Sequence, residues 1–584
     1  MRPLITAALG VLLVLQNSVA ADPAAEPLSR RLAGALSAAW GAQQAARTAV
    51  AAQQWDTTAA ASALEGIDGL WQRTAAGEYF RLLQNITDTL AAGGPHFAAS
   101  PGAVGNGLLT LYLVTGERKY FQQATSEWQQ LQALTRPLGG GGGGSPAGTS
   151  VPPPLESLPF FARYAALVRD APALDAAAKW TANYARGSAG APFSGFDAPR
   201  MAAFGSALVG VLDALPSDHP ARADLVGLMG AYTDAVVRPG SAVAGLWRDE
   251  PQALGAPSGP ARAASCLVAN ALAKAARRRW LPPPAARAAA AVARGAFAGA
   301  AAAFSVGGAA ASDGVSAGPA ALGACLMAAN EMEAAALPKP GRGRVVLLDS
   351  YFNNESRIDQ SGHAQSWHYK WGERGDGGFS FLAGVFERAG FELRTLYGPP
   401  TAAALEGAAV YIIVDPDTGN ESSKPNYVGR ADVDAIRGWV GAGGALVLMG
   451  NNVGNCELTR FNDLASAFGL RFAGDTRGRV PGTEFAAGKV VIPAGNEIFA
   501  PGDLFIKEYS SLQLAGGTAR AVLRDDGGAV VVAVSSYGQG RVFAVGDPWL
   551  YNEYVDGRRL PPSYGNFQAA ADLVDWLASA SPKP

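Results

Sequence analysis

The sequence has few of the residues that build metal sites and disulfide frameworks. Its 584 residues include four histidines and three cysteines, which are Cys266, Cys325 and Cys456. No histidine or cysteine pair has the spacing of zinc ligands, so we expect no metal site, and we expect no cofactor. A disulfide framework needs a dense and even set of cysteines. Cys266 and Cys325 are therefore interpreted most simply as small core residues, with one bridge between them left open.

The chain also lacks an excess of charge of either sign. Its 47 basic and 49 acidic residues give a net charge of −2 and do not form blocks. A nucleic-acid binder needs a basic face for phosphate contacts, so we expect no nucleic-acid partner.

Beyond the N-terminus, no segment has eighteen uninterrupted apolar residues without glycine, proline or charge. The mature chain is therefore predicted to have no membrane span.

The first residues have the pattern of a secretory signal peptide. Arg2 supplies a positive start, Leu4–Leu15 an apolar stretch, and Ser18–Ala20 a small-residue cleavage site. We expect residues 1–21 to be removed near Ala20 or Ala21 and the protein to be secreted or periplasmic. A retained anchor is the alternative.

Two halves with different periodicity follow. In residues 22–337, apolar residues recur at steps of three and four and are separated by Gly and Pro breakers, which predicts a toroid or barrel of helical hairpins. Residues 338–343 form a short Pro- and Gly-containing linker. Residues 344–584 predict a mostly parallel α/β sheet with an antiparallel extension that includes Lys489–Ile492 and Val530–Val534. The strongest predicted strands are Val345–Leu348, Val410–Val414, Ala445–Leu448 and Val542–Val545.

Polar residues directly follow each of these four strands. In an open α/β sheet, ligands bind outside the carboxyl ends of the strands, so these residues are expected to converge. A nearby loop containing His368, Tyr369, Trp371, Glu373 and Arg374 could form a lid or wall. The alternative is that the Asp and Asn residues only cap turns and helices. The predicted ligand-binding residues are Asp349, Asn353, Asn354, Glu355, His368, Trp371, Asp415, Asp417, Asn451, Asn452, Asp547, Trp549, Asn552 and Glu553.

Aromatic rings beside carboxylates and amides are typical of sugar sites, because a ring stacks on C–H groups while polar groups bind hydroxyls. Asp415 and Asp547 could also act as a general acid and base. A nucleophile elbow would place Ser or Cys after the third strand, but Gly450–Asn452 stands there, and Cys456 comes later. Thiol or hydroxyl catalysis is therefore disfavoured.

Several long stretches resemble a known domain. These stretches are LLDSYFNNE (347–355), HYKWGERGDGGFS (368–380), YIIVDPDT (411–418), GGALVLMGNN (443–452) and AVGDPWLYNEYVDGR (544–558). Over residues 344–577 the chain resembles the glutamine-amidotransferase-like, flavodoxin-like domain that follows some unsaturated glucuronyl and rhamnogalacturonyl hydrolases of glycoside hydrolase families 88 and 105. Because the elbow cysteine is absent, the resemblance implies no glutaminase activity.

The helical half resembles the barrel of those hydrolases, an (α/α)6 toroid. The stretches that carry the resemblance include LLTLYLVTGERKY (108–120), ALVGVLDALP (207–216) and GPAALGACLMAANEME (318–333). Members of the family hydrate a 4,5-unsaturated uronic acid, which needs a carboxylate acid/base. Where the family has its catalytic Asp residues, this chain has His96–Pro101 and Pro152. The remaining catalytic candidates are Glu156, by a gapped alignment, and Asp197, which resembles a substrate-loop Asp without its His.

Three hypotheses follow from these residues. The first is a secreted carbohydrate-binding or carbohydrate-processing protein with a degenerate barrel, in which the α/β half binds a pectin- or rhamnogalacturonan-type oligosaccharide or a protein partner. The second is a working unsaturated uronyl hydrolase that uses Glu156 or Asp197. The third assigns the chemistry to Asp349, Asp415 and Asp547 in the α/β half.

Overall fold

The computed structural model describes residues 26–46, 57–92, 101–135, 152–186, 192–238, 259–302, 304, 310–552 and 554–579. The predicted signal peptide, residues 1–21, and Glu553 lie outside the described residues. Among the residues that are described, no helix combines the length and apolar character needed to cross a bilayer.

The first half is all-helical, as its periodicity predicts, with twelve helices in its described part. In chain order they are α1 Leu28–Ala46, α2 Thr57–Thr74, α3 Gly77–Ala91, α4 Gly105–Thr115, α5 Arg118–Thr135, α6 Leu158–Leu167, α7 Ala171–Ala185, α8 Ala198–Ala214, α9 Arg222–Val237, α10 Gly259–Arg277, α11 Pro283–Ala302 and α12 Ala310–Ala336. A short 3₁₀ helix, Leu155–Ser157, precedes α6.

These helices form two concentric rings. In the inner ring, α2, α4, α6, α8, α10 and α12 contact one another in this order, and α12 closes the ring by packing on α2. Each inner helix also packs against one outer helix, and the outer helices are α3, α5, α7, α9, α11 and α1 in the same order. Six inner and six outer helices in a closed ring constitute an (α/α)6 barrel, which confirms the predicted fold of this half.

Small residues allow the inner helices to approach closely. A Cβ atom on Gly323 of α12 would lie 2.5 Å from the backbone nitrogen of Ala63 on α2, so only glycine fits there without displacement. A disulfide joins Cys266 on α10 to Cys325 on α12. The simplest interpretation of these two cysteines, as separate core residues, is therefore wrong, and the bridge that the sequence left open is present. Cys456 is a free, buried thiol.

The second half is an α/β domain around one large sheet. Its strands are β1 Val345–Asp349, β2 Ser356–Ile358, β3 Ala364–Ser366, β4 Glu392–Leu396, β5 Ala408–Val414, β6 Ala445–Met449, β7 Leu470–Phe472, β8 Lys489–Ile492, β9 Gly502–Phe505, β10 Leu512–Leu514, β11 Arg520–Arg524, β12 Val530–Tyr537 and β13 Gly540–Val545. Its α-helices are α13 Ser380–Arg388, α14 Ala402–Leu405, α15 Arg430–Gly441, α16 Leu458–Ser466 and α17 Asn566–Ala578.

The large sheet has the order β4-β1-β5-β6-β13-β12-β10-β7, with β11 also paired to β12. The first five strands are parallel and the remainder pair antiparallel. The parallel part has the flavodoxin-like strand order, whose ligand-binding switch point lies where the order reverses, between β1 and β5. The strand predicted at Lys489–Ile492 pairs with β9 in a separate two-stranded sheet rather than extending the large one.

The α/β domain packs on the end of the barrel where the inner helices finish. Arg374 forms a two-pronged ion pair with Asp68 of α2, with N–O distances of 2.6 and 3.0 Å. The indole nitrogen of Trp71 donates to the carbonyl oxygen of Asp556 at 2.7 Å. Because a buried ring contact between Trp71 and Phe381 of α13 accompanies these bonds, polar and apolar contacts both join the halves.

Candidate functional site

The ends of β1, β5 and β6 converge through direct hydrogen bonds. The side-chain amide of Asn353 donates to the carbonyl oxygen of Asp415 at 2.9 Å. The backbone nitrogen of Asn354 donates to Asp417 at 2.8 Å, and the amide of Asn451 donates to the Asp415 carboxyl at 3.2 Å. The structure therefore brings these predicted residues together at the switch point of the sheet. We call this group the strand-end site; its members are Asp349, Asn353, Asp415, Asp417, Asn451 and Asp547, with Tyr369 and Lys370.

Within the site, Asp349 has a structural role. One of its carboxyl oxygens accepts from the backbone nitrogens of Tyr351 and Phe352 at 3.1 and 2.8 Å. The other accepts from the hydroxyl of Tyr411 at 2.7 Å. Burial raises the pKa of Asp349 to about 6 against these bonds. Since both oxygens are occupied, Asp349 fits the capping interpretation rather than direct ligand contact.

Asp415, Asp547 and Tyr369 differ from Asp349 because each has a buried polar atom that makes no well-formed hydrogen bond within the described residues. Oδ1 of Asp415, Oδ2 of Asp547 and the hydroxyl of Tyr369 each lack a partner at hydrogen-bonding geometry among the described residues. Burial raises the pKa of both carboxyls well above the usual range. Both acids interact electrostatically with Tyr369, whose hydroxyl is also a hydrogen-bonding neighbour of the Asp415 carboxyl and of Trp549, so the three groups lie near one another.

Asp417 and Lys370 complete the polar part of the site. One Asp417 oxygen has no partner in the described structure, and burial raises the pKa of this carboxyl to about 7. The ammonium group of Lys370 donates to the backbone oxygen and the amide oxygen of Asn353 at 2.7 and 2.8 Å. Burial lowers the pKa of Lys370 to about 8. Both groups therefore change charge close to physiological pH.

The backbone around the site is strained. His368, Tyr369, Asp415 and Glu508 have φ values of 77, 55, 45 and 51°, in the left-handed region that favours glycine. Glu508 adjoins the site because its carbonyl oxygen accepts from the amide of Asn452 at 3.0 Å. Such conformations cost about 1–3 kcal/mol each and cluster at functional sites.

Aromatic rings border the acids on two sides. The imidazole of His368 stacks between Trp367 and Tyr369, with ring centroids 4.5 and 3.9 Å away. The ring of His368 also lies near Glu355, with Nδ1 3.7 Å from a carboxyl oxygen. Trp549 is half-buried, and the ammonium group of Lys507 lies 3.9 Å from the centre of its ring. Asn552 is buried in the same segment.

Sequence reasoning did not name Trp367 and Lys370 as site residues, and it named Tyr369 only as part of a possible lid or wall. All three belong to one loop, and the only available signal was their adjacency to His368. The same reasoning placed Trp371 at the strand ends, where the structure does not bring it. The indole of Trp371 donates to the carbonyl oxygen of Arg394, and its side chain lines a cavity at the end of the barrel. Tyr369 and Trp371 both pack on the ring of Phe379, but only Trp371 reaches the cavity.

The two catalytic candidates lie in the barrel, far from these residues in sequence. Glu156 is exposed on the short helix before α6. Asp197 is also exposed and caps α8, because its carboxylate accepts from the backbone nitrogen of Arg200 at 2.9 Å. Both precede inner helices whose neighbouring connections lie partly outside the described residues. The catalytic assignment of either residue remains a prediction.

The described part of the chain contains no candidate metal centre. No group of three or more His, Cys, Asp or Glu residues there could hold a metal ion.

Comparison with known proteins adds a domain family and several structural likenesses. Residues 373–558 match a domain of unknown function, DUF4350. No curated protein matches the chain significantly. A family 105 glycoside hydrolase from C. acetobutylicum ATCC 824 has 16% identity and a TM-score of 0.39, over 53% of this chain and 99% of that one.

Two further solved structures show a similar level of likeness. A possible GH105 member from Salmonella enterica serovar Paratyphi A has 16% identity and a TM-score of 0.35, over 48% of this chain and 82% of that one. An exo-β-1,4-mannosidase from Opitutaceae bacterium strain TAV5 has 15% identity and a TM-score of 0.25, over 66% and 78%. The closed ring of helices identifies the barrel, and the hydrogen bonds between the strand ends define the strand-end site.

Proposed function

We propose that the strand-end site binds a hydroxyl-rich ligand, an oligosaccharide of the pectin or rhamnogalacturonan type, and that the protein is exported to meet it. The observation that carries this proposal is the pair of buried, unpartnered carboxyl oxygens on Asp417 and Asp547, close to Asp415 and Tyr369. A buried polar group without a hydrogen bond costs about 1–3 kcal/mol. Ligand groups that satisfied these atoms would recover that cost on binding.

The polar groups of the site suit a hydroxyl-bearing ligand. The carboxyl oxygens of Asp415 and Asp547 can accept hydrogen bonds, and the hydroxyl of Tyr369 can both donate and accept. A sugar hydroxyl likewise both donates and accepts. The ring of Trp549 borders the same groups, and Trp367 stacks on the neighbouring His368; both rings offer apolar faces for the C–H surface of a sugar.

In this proposal the barrel supports binding but no longer hydrates unsaturated uronides. The support is the replacement of the expected acids by His96–Pro101 and Pro152, together with the exposed positions of Glu156 and Asp197. The capping bond of Asp197 gives that carboxylate a structural task. The domain limits proposed are residues 22–337 for the barrel and 344–584 for the α/β domain.

The binding proposal is tested by calorimetry with pectin and rhamnogalacturonan fragments. Tyr369→Phe removes a buried hydroxyl that interacts with Asp415 and Asp547 in the site, so it should weaken binding about tenfold. Tyr551→Phe is the matched control, because its hydroxyl is also buried and unpartnered but interacts electrostatically with Asp572 instead. Equal binding by both variants, or no binding by the wild type, would contradict the proposal.

The enzymatic alternative has a direct assay. The double bond of an unsaturated uronide, conjugated to its carboxylate, absorbs ultraviolet light. Hydration removes that double bond and its absorbance. We expect the absorbance of an unsaturated rhamnogalacturonan disaccharide to persist when it is incubated with the protein. A loss of absorbance that Glu156→Gln abolishes would overturn the degenerate-barrel view.

A further inference from the structure

A cavity of about 700 Å³ lies between the barrel and the α/β domain. Its walls are the C-terminal parts of the inner helices, and its other side is formed by α13 and by residues 371–374. The cavity is separate from the strand-end site and shares none of that site's residues. Its volume is within the 300–1,000 Å³ range typical of small-molecule sites.

The cavity walls carry an excess of positive charge. Eight basic and five acidic side chains line it. The acids are paired with cations: Asp213 lies 2.6 Å from Lys274, and Glu331 lies 2.7 Å from Arg277. Glu65 shares Lys274 at 3.7 Å.

The last two acids are also paired. Asp68 is held by Arg374, as described above, and Glu387 lies 3.3 Å from Arg278. Arg73, at the edge of the cavity, pairs with Glu333 at 2.5 Å. The carboxylates therefore leave part of the positive charge without an opposite partner.

Three lining cations have no carboxylate within ion-pair distance among the described residues. Arg163 donates to the carbonyl oxygen of Asn106 and the hydroxyl of Thr110 at 3.3 and 3.2 Å. Lys339 donates to two backbone carbonyls, and Arg388 to one, at 2.8, 2.7 and 3.3 Å. These contacts satisfy hydrogen-bond donors of the three side chains. Because the acceptors are uncharged, they do not neutralise the positive charge.

The pKa values of these three cations are lowered, as expected for buried positive charges. Burial lowers the pKa of Arg163 and of Arg388 to about 10, and a neighbouring arginine adds to the effect in each case. Carboxylates beyond ion-pair distance act in the opposite direction, namely Asp68, Glu65 and Asp213 for Arg163 and Glu387 for Arg388. Burial also lowers the pKa of Lys339. A network whose only task was to join the two halves would gain from pairing these charges, because a buried charge without a counterion is costly.

We propose that this cavity binds a small organic polyanion, with Arg163 and Arg388 as its anion-binding groups and Lys339 beside Arg388. Arginine suits this task because its planar fork binds a carboxylate or phosphate through two parallel hydrogen bonds. Arg163 lies on the barrel wall and Arg388 on α13 of the α/β domain, so one ligand bearing two acidic groups would contact both halves.

The proposal is tested by calorimetry on the full mature chain, with citrate and inorganic pyrophosphate as probes. We expect at least one probe to bind the wild type, and Arg163→Gln and Arg388→Gln each to weaken that binding at least tenfold. Arg471→Gln, at an exposed position on β7, is the control and should bind as the wild type does. Citrate binding alone would assign a polycarboxylate, and pyrophosphate binding alone a phosphorylated ligand.

Thermal unfolding without ligand separates binding from stability. Because Arg163 and Arg388 have no carboxylate at ion-pair distance and hydrogen-bond only to uncharged groups, replacing either should lower the melting temperature of the free protein only slightly. Absence of binding by both probes, or binding that Arg163→Gln and Arg388→Gln leave unchanged, would overturn the proposal. A large loss of melting temperature in both variants would also overturn it, since the two arginines would then be structural.

Discussion

Replacing Asp417 by asparagine is expected to remove a pH dependence from the stability of the α/β domain. Asp417 is buried, and its pKa rises from 3.8 to about 7 in the folded protein. Between these values the native state binds a proton that the unfolded chain releases, so stability falls as the pH rises through this interval. The asparagine side chain would mimic the protonated acid and could still accept from the backbone nitrogen of Asn354.

The magnitude follows from the two pKa values. At pH 5 the native carboxyl is almost entirely protonated, and at pH 8 it is mostly ionised, whereas the unfolded carboxyl is ionised throughout. The carboxyl therefore contributes a loss of about 3 kcal/mol in the free energy of unfolding between pH 5 and pH 8. The difference between Asp417→Asn and the wild type should grow from near zero to about this value.

The assay is urea unfolding at pH 5, 6, 7 and 8, followed by tryptophan fluorescence and repeated for both proteins. Asp526→Asn serves as the control, because Asp526 is exposed in a turn and its replacement should give a difference that does not change with pH. A difference for Asp417→Asn that is the same at pH 5 and pH 8, within about 0.5 kcal/mol, would refute the reasoning.

Two further predictions concern the barrel. Gly323→Ala should destabilise it by about 1–3 kcal/mol, because the new Cβ would meet the backbone of Ala63 at 2.5 Å. Gly295→Ala is the control: it lies in α11 with open space around it and should stabilise the barrel by about 0.5–1 kcal/mol. Urea unfolding measures both variants. Replacing Cys266 and Cys325 together by alanine should cost about 4 kcal/mol, since the bridge closes a loop with a sequence separation of 59. A reductant should lower the unfolding midpoint of the wild type but not of that double variant, and an unchanged wild-type midpoint would count against this role.

Local sequence pattern was sufficient for the fold class. Apolar steps of three and four predicted the helices of the first half, and the runs at Val345–Leu348 and Val410–Val414 predicted buried strands of the second. The convergence of the strand ends was also predictable, because carboxyl ends of parallel strands meet at one edge. Asp349 shows the limit of that reasoning, since its position in the cluster did not reveal that both of its oxygens are occupied.

The sequence by itself determined which segments are helix and strand, because periodicity and breakers are local properties of the chain. Only the tertiary structure decided which polar atoms have partners, since the hydrogen-bond partners of Asp415 and Arg163 come from distant segments. The disulfide between Cys266 and Cys325 was decided in the same way, by the packing of α10 on α12. The charged cavity arises where the two halves meet, and no pattern within either half predicts a surface that both must form together.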